Sequence, residues 1–204
     1  AGDLGATTAT YLGDTAVGKG SVAAGGEASL GATAFGYGAN SLGVSSTALG
    51  ASSSASLSST SVGASSSASA TGTTSIGASA SASDSNASSF GASATAIGSS
   101  SLALGSASNA AFSKSTAVGT ASGATASGST VVGYGARTYL VPGIGTNATA
   151  VGIQAYSAGN YSTALGGLSN AYESYSLAIG YEALSSGEYA IALGASSEAS
   201  GENA

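Results

Sequence analysis

One dipeptide, a large apolar residue followed by glycine, returns through this chain at a fixed interval and leaves few ways for it to fold. The copies are Phe35-Gly36, Leu49-Gly50, Val62-Gly63, Ile76-Gly77, Phe90-Gly91, Leu104-Gly105, Val118-Gly119, Val132-Gly133, Val151-Gly152, Leu165-Gly166, Ile179-Gly180 and Leu193-Gly194. The spacing is 14 residues, except for one deletion between Gly50 and Gly63 and an insertion of five between Gly133 and Gly152. A repeat this short cannot bury its own apolar face, so neighbouring copies must stack and share one continuous core.

Alignment on the glycine gives columns. Three residues before it stand Thr47, Thr60, Thr74, Ser88, Leu102, Thr116, Thr130, Thr149, Thr163, Leu177 and Ile191, two positions from the large apolar column. Residues two apart on a strand share a face. Size and hydrophobicity therefore predict that the Thr column and the aliphatic column point inward together, while Ala48, Ser61, Ser75, Ala117, Ala164 and Ala178 between them point out. Three and five residues after the glycine a second alternating pair appears, such as Ser53 with Ala55, Ala80 with Ala82 and Ser197 with Ala199. Each repeat reads as two short strands separated by a glycine, which suits a sharp turn or a close backbone approach. A helix is disfavoured, because no 3.6-residue periodicity survives and Gly, Ser and Thr are poor helix interiors. The expected fold is all-β, a parallel β-solenoid of about 14-residue coils at about 4.8 Å rise per coil.

Composition sharpens this. The chain has 204 residues with 33 Gly, one Pro and no Cys, Met, Trp or His. From Ala64 to Ser89 only Ile76 belongs to the Leu, Ile, Val and Phe set from which compact cores are packed. The core must be thin and spread along the coils, or shared with other chains, and association of identical chains around the aliphatic column (Leu49, Val62, Ile76, Phe90, Leu104, Val118, Val132, Val151, Leu165, Ile179, Leu193) is the simplest remedy. Formal net charge is −6, with Lys19, Lys114 and Arg137 the whole basic complement, so no nucleic-acid binding through a basic patch is expected. Without His or Cys the common general bases, thiolate nucleophiles and zinc ligands are missing, so neither a catalytic site, a metal site nor a cofactor is expected. Glu173, Glu182, Glu188 and Glu198 gather in the last repeats, but their spacing fits solvated faces rather than a calcium loop. No stretch reaches the roughly 18 unbroken apolar residues of a membrane span, so no direct membrane insertion is expected. Ala1 opens no signal peptide, and the chain is expected to be a mature or excised segment.

Four segments follow from the repeat register. Residues 1–35 read as diverged coils, because Leu4-Gly5, Val17-Gly18 and Leu30-Gly31 are 13 apart and out of phase with Gly36. Residues 36–133 are regular repeats, 134–151 hold a repeat with the insertion, and 152–204 are regular and tyrosine-rich. The insertion carries Pro142, and a proline confined to an edge or bulge predicts that Tyr139 to Ile144 loop out of the solenoid. Tyr161, Tyr175 and Tyr189 fall 14 apart, five before their glycines, and should stack as a ladder, with Tyr172 and Tyr181 in the same half of the chain. Such tyrosines serve either as a contact surface or as pairs that hold coils together.

The repeat resembles a known family. Ser-Thr-Ala-Leu-Gly at 162–166, Ser-Leu-Ala-Ile-Gly at 176–180 and Asn-Ala-Thr-Ala-Val-Gly at 147–152 look like the head repeats of YadA-like trimeric autotransporter adhesins. The resemblance implies a left-handed parallel β-roll assembled as a homotrimer, with the large apolar column near the threefold axis. It also implies display at the bacterial cell surface beyond an outer membrane, and adhesion to host extracellular matrix, cell-surface ligands or abiotic surfaces. The family's fullest repeat begins with Asn, a position filled here by Asn86 and Asn147 but elsewhere by Ser45, Ser58, Gly72 or Tyr161, which weakens any expectation of collagen binding.

Three rival functions fit the same pattern: an ice-binding β-solenoid, a passive spacer, and a segment of a phage fibre. The ice-binding reading depends on where threonine points, and the inward placement of the Thr column argues against it. A spacer would show no saturable binding of its own.

Overall fold

The computed structural model describes residues 7–26, 31–138 and 145–204. Leu4-Gly5, Leu30 and the predicted loop from Tyr139 to Ile144 lie outside the described residues. Among the described residues there is no helix, and neighbouring strands pair in parallel one repeat apart, as Thr74–Ile76 does with Ser88–Phe90 and Thr149–Val151 with Thr163–Leu165. The fold is a β-solenoid. The chain divides into two compact units, Ala1–Ser100 and Ser101–Ala204.

Both units repeat one coil. A three-residue strand ends at the apolar residue of the dipeptide, as in Thr74–Ile76 of the first unit and Thr163–Leu165 of the second. A two-residue strand follows, Ser81–Ala82 or Asn170–Ala171. Within each unit the three-residue strands form one sheet and the two-residue strands another: Ile76 pairs with Val62 and Phe90 in the first, and Leu165 with Val151 and Ile179 in the second. The amide of Gly77 donates to the Val62 carbonyl and that of Gly91 to Ile76, both at 2.8 Å, so backbone groups find partners in adjacent coils.

Turning the chain twice in 14 residues requires left-handed backbone at three places per coil. In the first unit these are Gly77 at φ 139°, Ser79 at 56° and Asn86 at 59°; in the second, Gly166 at 138°, Leu168 at 59° and Tyr175 at 61°. Asn86 and Asn147 sit five before their glycines because asparagine tolerates this region better than most side chains. The dipeptide glycine is held by a further constraint. A Cβ added at Gly105, where φ is 134°, would lie 2.6 Å from the carbonyl carbon and oxygen of Gly119 in the next coil. The 14-residue glycine period thus records where consecutive coils touch backbone to backbone.

The structure reverses the predicted faces of the longer strand. Ala48, Ser61, Ser75, Ala103, Ala117, Ala164 and Ala178 are fully buried, whereas Leu49, Ile76, Leu104, Val132, Leu165 and Leu193 are exposed on the outer surface, and Val62, Phe90, Val118, Val151 and Ile179 are half-buried beside them. The Thr column, which shares their parity, is half-buried on the same outer face. The correction has a steric reason. Two sheets joined by turns this tight approach so closely that the space between them is filled mainly by methyl and hydroxymethyl groups, and among the described residues the largest fully buried side chains are Val131, Thr73 and Thr138. Around the second strand it is Ser53, Ala55, Ala80 and Ala82 that lie inside.

Serine suits that interior because the turns supply acceptors, with Ser101 Oγ a buried exception that has no partner. The Ser53 amide and hydroxyl both donate to the Gly50 carbonyl, at 3.2 and 2.9 Å, and Ser169 closes its turn on Gly166 in the same way. Inside the coil Ser61 and Ser66 bond to each other at 2.7 Å. A buried hydroxyl with a partner costs little more than the methyl of alanine, so the two residues interchange along the interior columns.

The first coils are more regular than their sequence. Thr15–Val17 pairs with Thr33–Phe35, which aligns Val17 with Phe35 despite the longer spacing, so Val17-Gly18 is a true copy of the dipeptide. Gly31 instead stands five before Gly36, in the column of Asn86 and Tyr175, and is not the glycine of a copy.

Candidate contact surfaces

Two exposed features stand out on the coils. The first is the aliphatic seam. Because the three-residue strands of each unit pair in register, Phe35, Leu49, Val62, Ile76 and Phe90 line up in the first unit, and Leu104, Val118, Val132, Val151, Leu165, Ile179 and Leu193 in the second. Phe35 is 56% exposed and Leu193 71%. Contiguous apolar ladders of this kind mark association surfaces on soluble proteins. The turn glycines Gly36, Gly50, Gly63, Gly77, Gly91, Gly105, Gly119, Gly133, Gly152, Gly166, Gly180 and Gly194 flank the seam, all with left-handed φ.

The second feature is aromatic. Tyr161, Tyr175 and Tyr189 occupy the left-handed position five before their glycines, at φ of 57°, 61° and 59°. Their rings stack, Tyr161 on Tyr175 at 5.3 Å and 5°, and Tyr175 on Tyr189 at 4.9 Å and 1°. About half of each side chain remains open to solvent. The structure does not bring Tyr172 and Tyr181 into this ladder. Tyr181 sits in the turn that follows Gly180, at the opposite edge of the coil, and Tyr172 just beyond the two-residue strand Asn170–Ala171. Glu182 accepts a hydrogen bond from the Tyr181 hydroxyl and its charge opposes phenolate formation, so the Tyr181 pKa is raised.

One carboxylate does structural work that the sequence did not signal. Asp14 accepts backbone hydrogen bonds from Ala32 at 2.8 Å, Tyr11 at 3.0 Å and Gly25 at 3.2 Å, tying its own turn to the start of the next coil. The Ala32 amide is the largest influence, and together these donors hold the Asp14 pKa below the ordinary carboxylate value. Nothing in the spacing around Asp14 marks it, because its partners are backbone groups distant in sequence.

The features define a class: a parallel β-solenoid of 14-residue repeats with an interior of alanine and serine and an outward aliphatic seam. The family model of the YadA head domain repeat matches residues 30–53, 96–122, 113–136, 144–169, 159–183 and 185–204, more than half of the chain. The chain belongs to the YadA head domain repeat family. Among solved structures it is similar to the collagen-binding domain of the Yersinia adhesin YadA, at 22% identity, with 83% of this chain and 82% of that chain covered and a TM-score of 0.47. The comparison with curated proteins found no match.

Proposed function

We propose that this chain is the head segment of a trimeric cell-surface adhesin, gripping host matrix, cells or abiotic surfaces by contact and without catalysis. The observation that carries the reading is the register-aligned aliphatic seam. Burying it against the same seam of identical chains removes a long run of exposed apolar side chains, and a closed ring of copies leaves no seam uncovered. Membership of the YadA head family supports three as the number, and exposure at a bacterial surface as the location. In this arrangement Tyr161, Tyr175, Tyr189, Tyr172 and Tyr181 are the contact residues, each presenting an apolar ring with a polar tip. Light scattering on the purified chain tests the assembly: a mass of three chains supports it, and a stable monomer with the seam intact counts against it. Saturable adhesion of the same protein to immobilised matrix or cells tests the function, and its absence would favour a passive spacer.

One observation favours a second reading. Thr33, Thr47, Thr60 and Thr74 form an outward ladder on the face opposite the two-residue strands, which is the exposure an ice-binding solenoid needs and removes the reason to set that reading aside. Trimerisation through the seam would cover this ladder as well, so the two readings exclude each other. Thermal hysteresis at micromolar protein, together with a monomeric mass, would establish ice binding instead.

A further inference from the structure

We infer that the second unit carries a groove for a carboxylated sugar on the outer face of its two-residue strands, which deepens the adhesin reading and rests on it. Side chains four after the dipeptide glycine point outward from this sheet. In the first unit they are small and polar, Asn40, Ser54, Ser67, Ser81 and Thr95. In the second unit the same column reads Asn109, Gly123, Arg137, Tyr156 and Asn170, each in register with the next. Here the surface opens into a groove of about 1040 Å³, whose lining includes Asn109, Gly123, Arg137, Tyr156, Tyr172 and one carboxylate, Glu182.

Gly123 is the notch at its centre. Unlike the turn glycines it has no left-handed φ, and a Cβ placed on it would meet nothing closer than 3.8 Å, so the backbone does not demand glycine there. Its missing side chain leaves room between Asn109 and Arg137. The Arg137 guanidinium lies 5.4 Å from the centroid of the Tyr156 ring, and Tyr172 meets that ring edge-on at 5.6 Å and 69°. Arg137 has no carboxylate partner among the described residues, in a chain with only three basic residues.

Each part matches a feature of an acidic sugar. Tyrosine faces cover the C–H face of a pyranose, and an aromatic-braced guanidinium pairs bidentately with a carboxylate. A single guanidinium suits one carboxylate, and the net charge of −6 disfavours densely sulfated chains. The groove also lies on the sheet away from the aliphatic seam, so association through the seam leaves it open.

Calorimetric titration of the 204-residue chain in its solution assembly tests this, with sialyllactose for a terminal acidic sugar, a hyaluronan oligosaccharide for an internal one, and lactose as the neutral control. The expected result is saturable binding of one acidic probe at least about tenfold tighter than lactose, weakened about tenfold by Arg137→Gln and lost in Gly123→Leu. Ser81→Leu, the same change in the same column of the first unit, should leave binding intact. No binding of either acidic probe, equal binding of lactose, or binding indifferent to Arg137→Gln would overturn the inference. Cell and matrix adhesion measured on the same variants separates the two readings: adhesion that survives without acidic-sugar binding leaves the adhesin and removes the groove, and sugar binding without adhesion does the reverse.

Discussion

The rings of Tyr175 and Tyr189 lie 4.9 Å apart and 1° from parallel, one coil above the other, although both residues hold left-handed backbone that disfavours a bulky side chain. The stack offsets the strain. An aromatic pair contributes about 0.5–1.5 kcal/mol, and left-handed backbone costs a non-glycine residue roughly 1–2 kcal/mol. Tyr175 has a ring on both sides, so Tyr175→Ala, which keeps the strain and loses both stacks, should destabilise the second unit by about 1–3 kcal/mol in urea unfolding. Tyr175→Asn relieves the backbone and should cost less. Tyr175→Phe should unfold like the parent, so any loss of adhesion in that variant reports on the phenol.

Adjacent residues of one strand should respond in opposite ways. Ala103 is fully buried and Leu104 is 44% exposed. Ala103→Leu overpacks an interior with no spare volume and should cost about 1–3 kcal/mol or more, visible as a lower melting temperature. Leu104→Asp should leave the coil folded by circular dichroism but reduce the mass in light scattering, because it places a charge in the seam.

Two glycines separate backbone necessity from vacancy. Gly105→Ala combines a left-handed φ with a clash against Gly119 and should destabilise by about 3 kcal/mol or more. Gly123→Ala meets only ordinary contacts and should be neutral or stabilise by about 0.4–1 kcal/mol through the unfolded chain. Chemical denaturation of both variants checks the contrast.

Acid should loosen the first coils before the rest. The Asp14 pKa is lowered by its backbone donors, so its contribution is fully present above the unfolded carboxylate value near pH 4 and is lost as pH falls through the depressed folded value. Amide exchange around Tyr11, Gly25 and Ala32 should accelerate in that acidic window and not at neutral pH. Asp14→Asn should abolish the pH dependence and show faster exchange throughout.

The fold was legible because its determinants are local and repeated. A glycine every 14 residues marks a backbone contact between coils, and alternation on both sides of it marks two strands, so the solenoid follows from period alone. The tyrosine ladder was legible for the same reason, since equal spacing in a stacked repeat places Tyr161, Tyr175 and Tyr189 one above another. The groove was not. Asn109, Gly123, Arg137 and Tyr156 differ in type, and only the register of the two-residue strands, carried across the insertion, brings them into one column.

By itself, then, the sequence determined the repeat, the parallel stacking and the family, all of which depend on spacing. Tertiary structure alone decided which face was inside. Alternation distinguishes two faces without naming them, and the rule that large apolar residues go inward presumes an interior deep enough to hold them. Where left-handed turns draw two narrow strands together, Ala178 fills the space and Ile179 is turned outward. The size of the cavity, which no single residue encodes, overrules hydrophobicity.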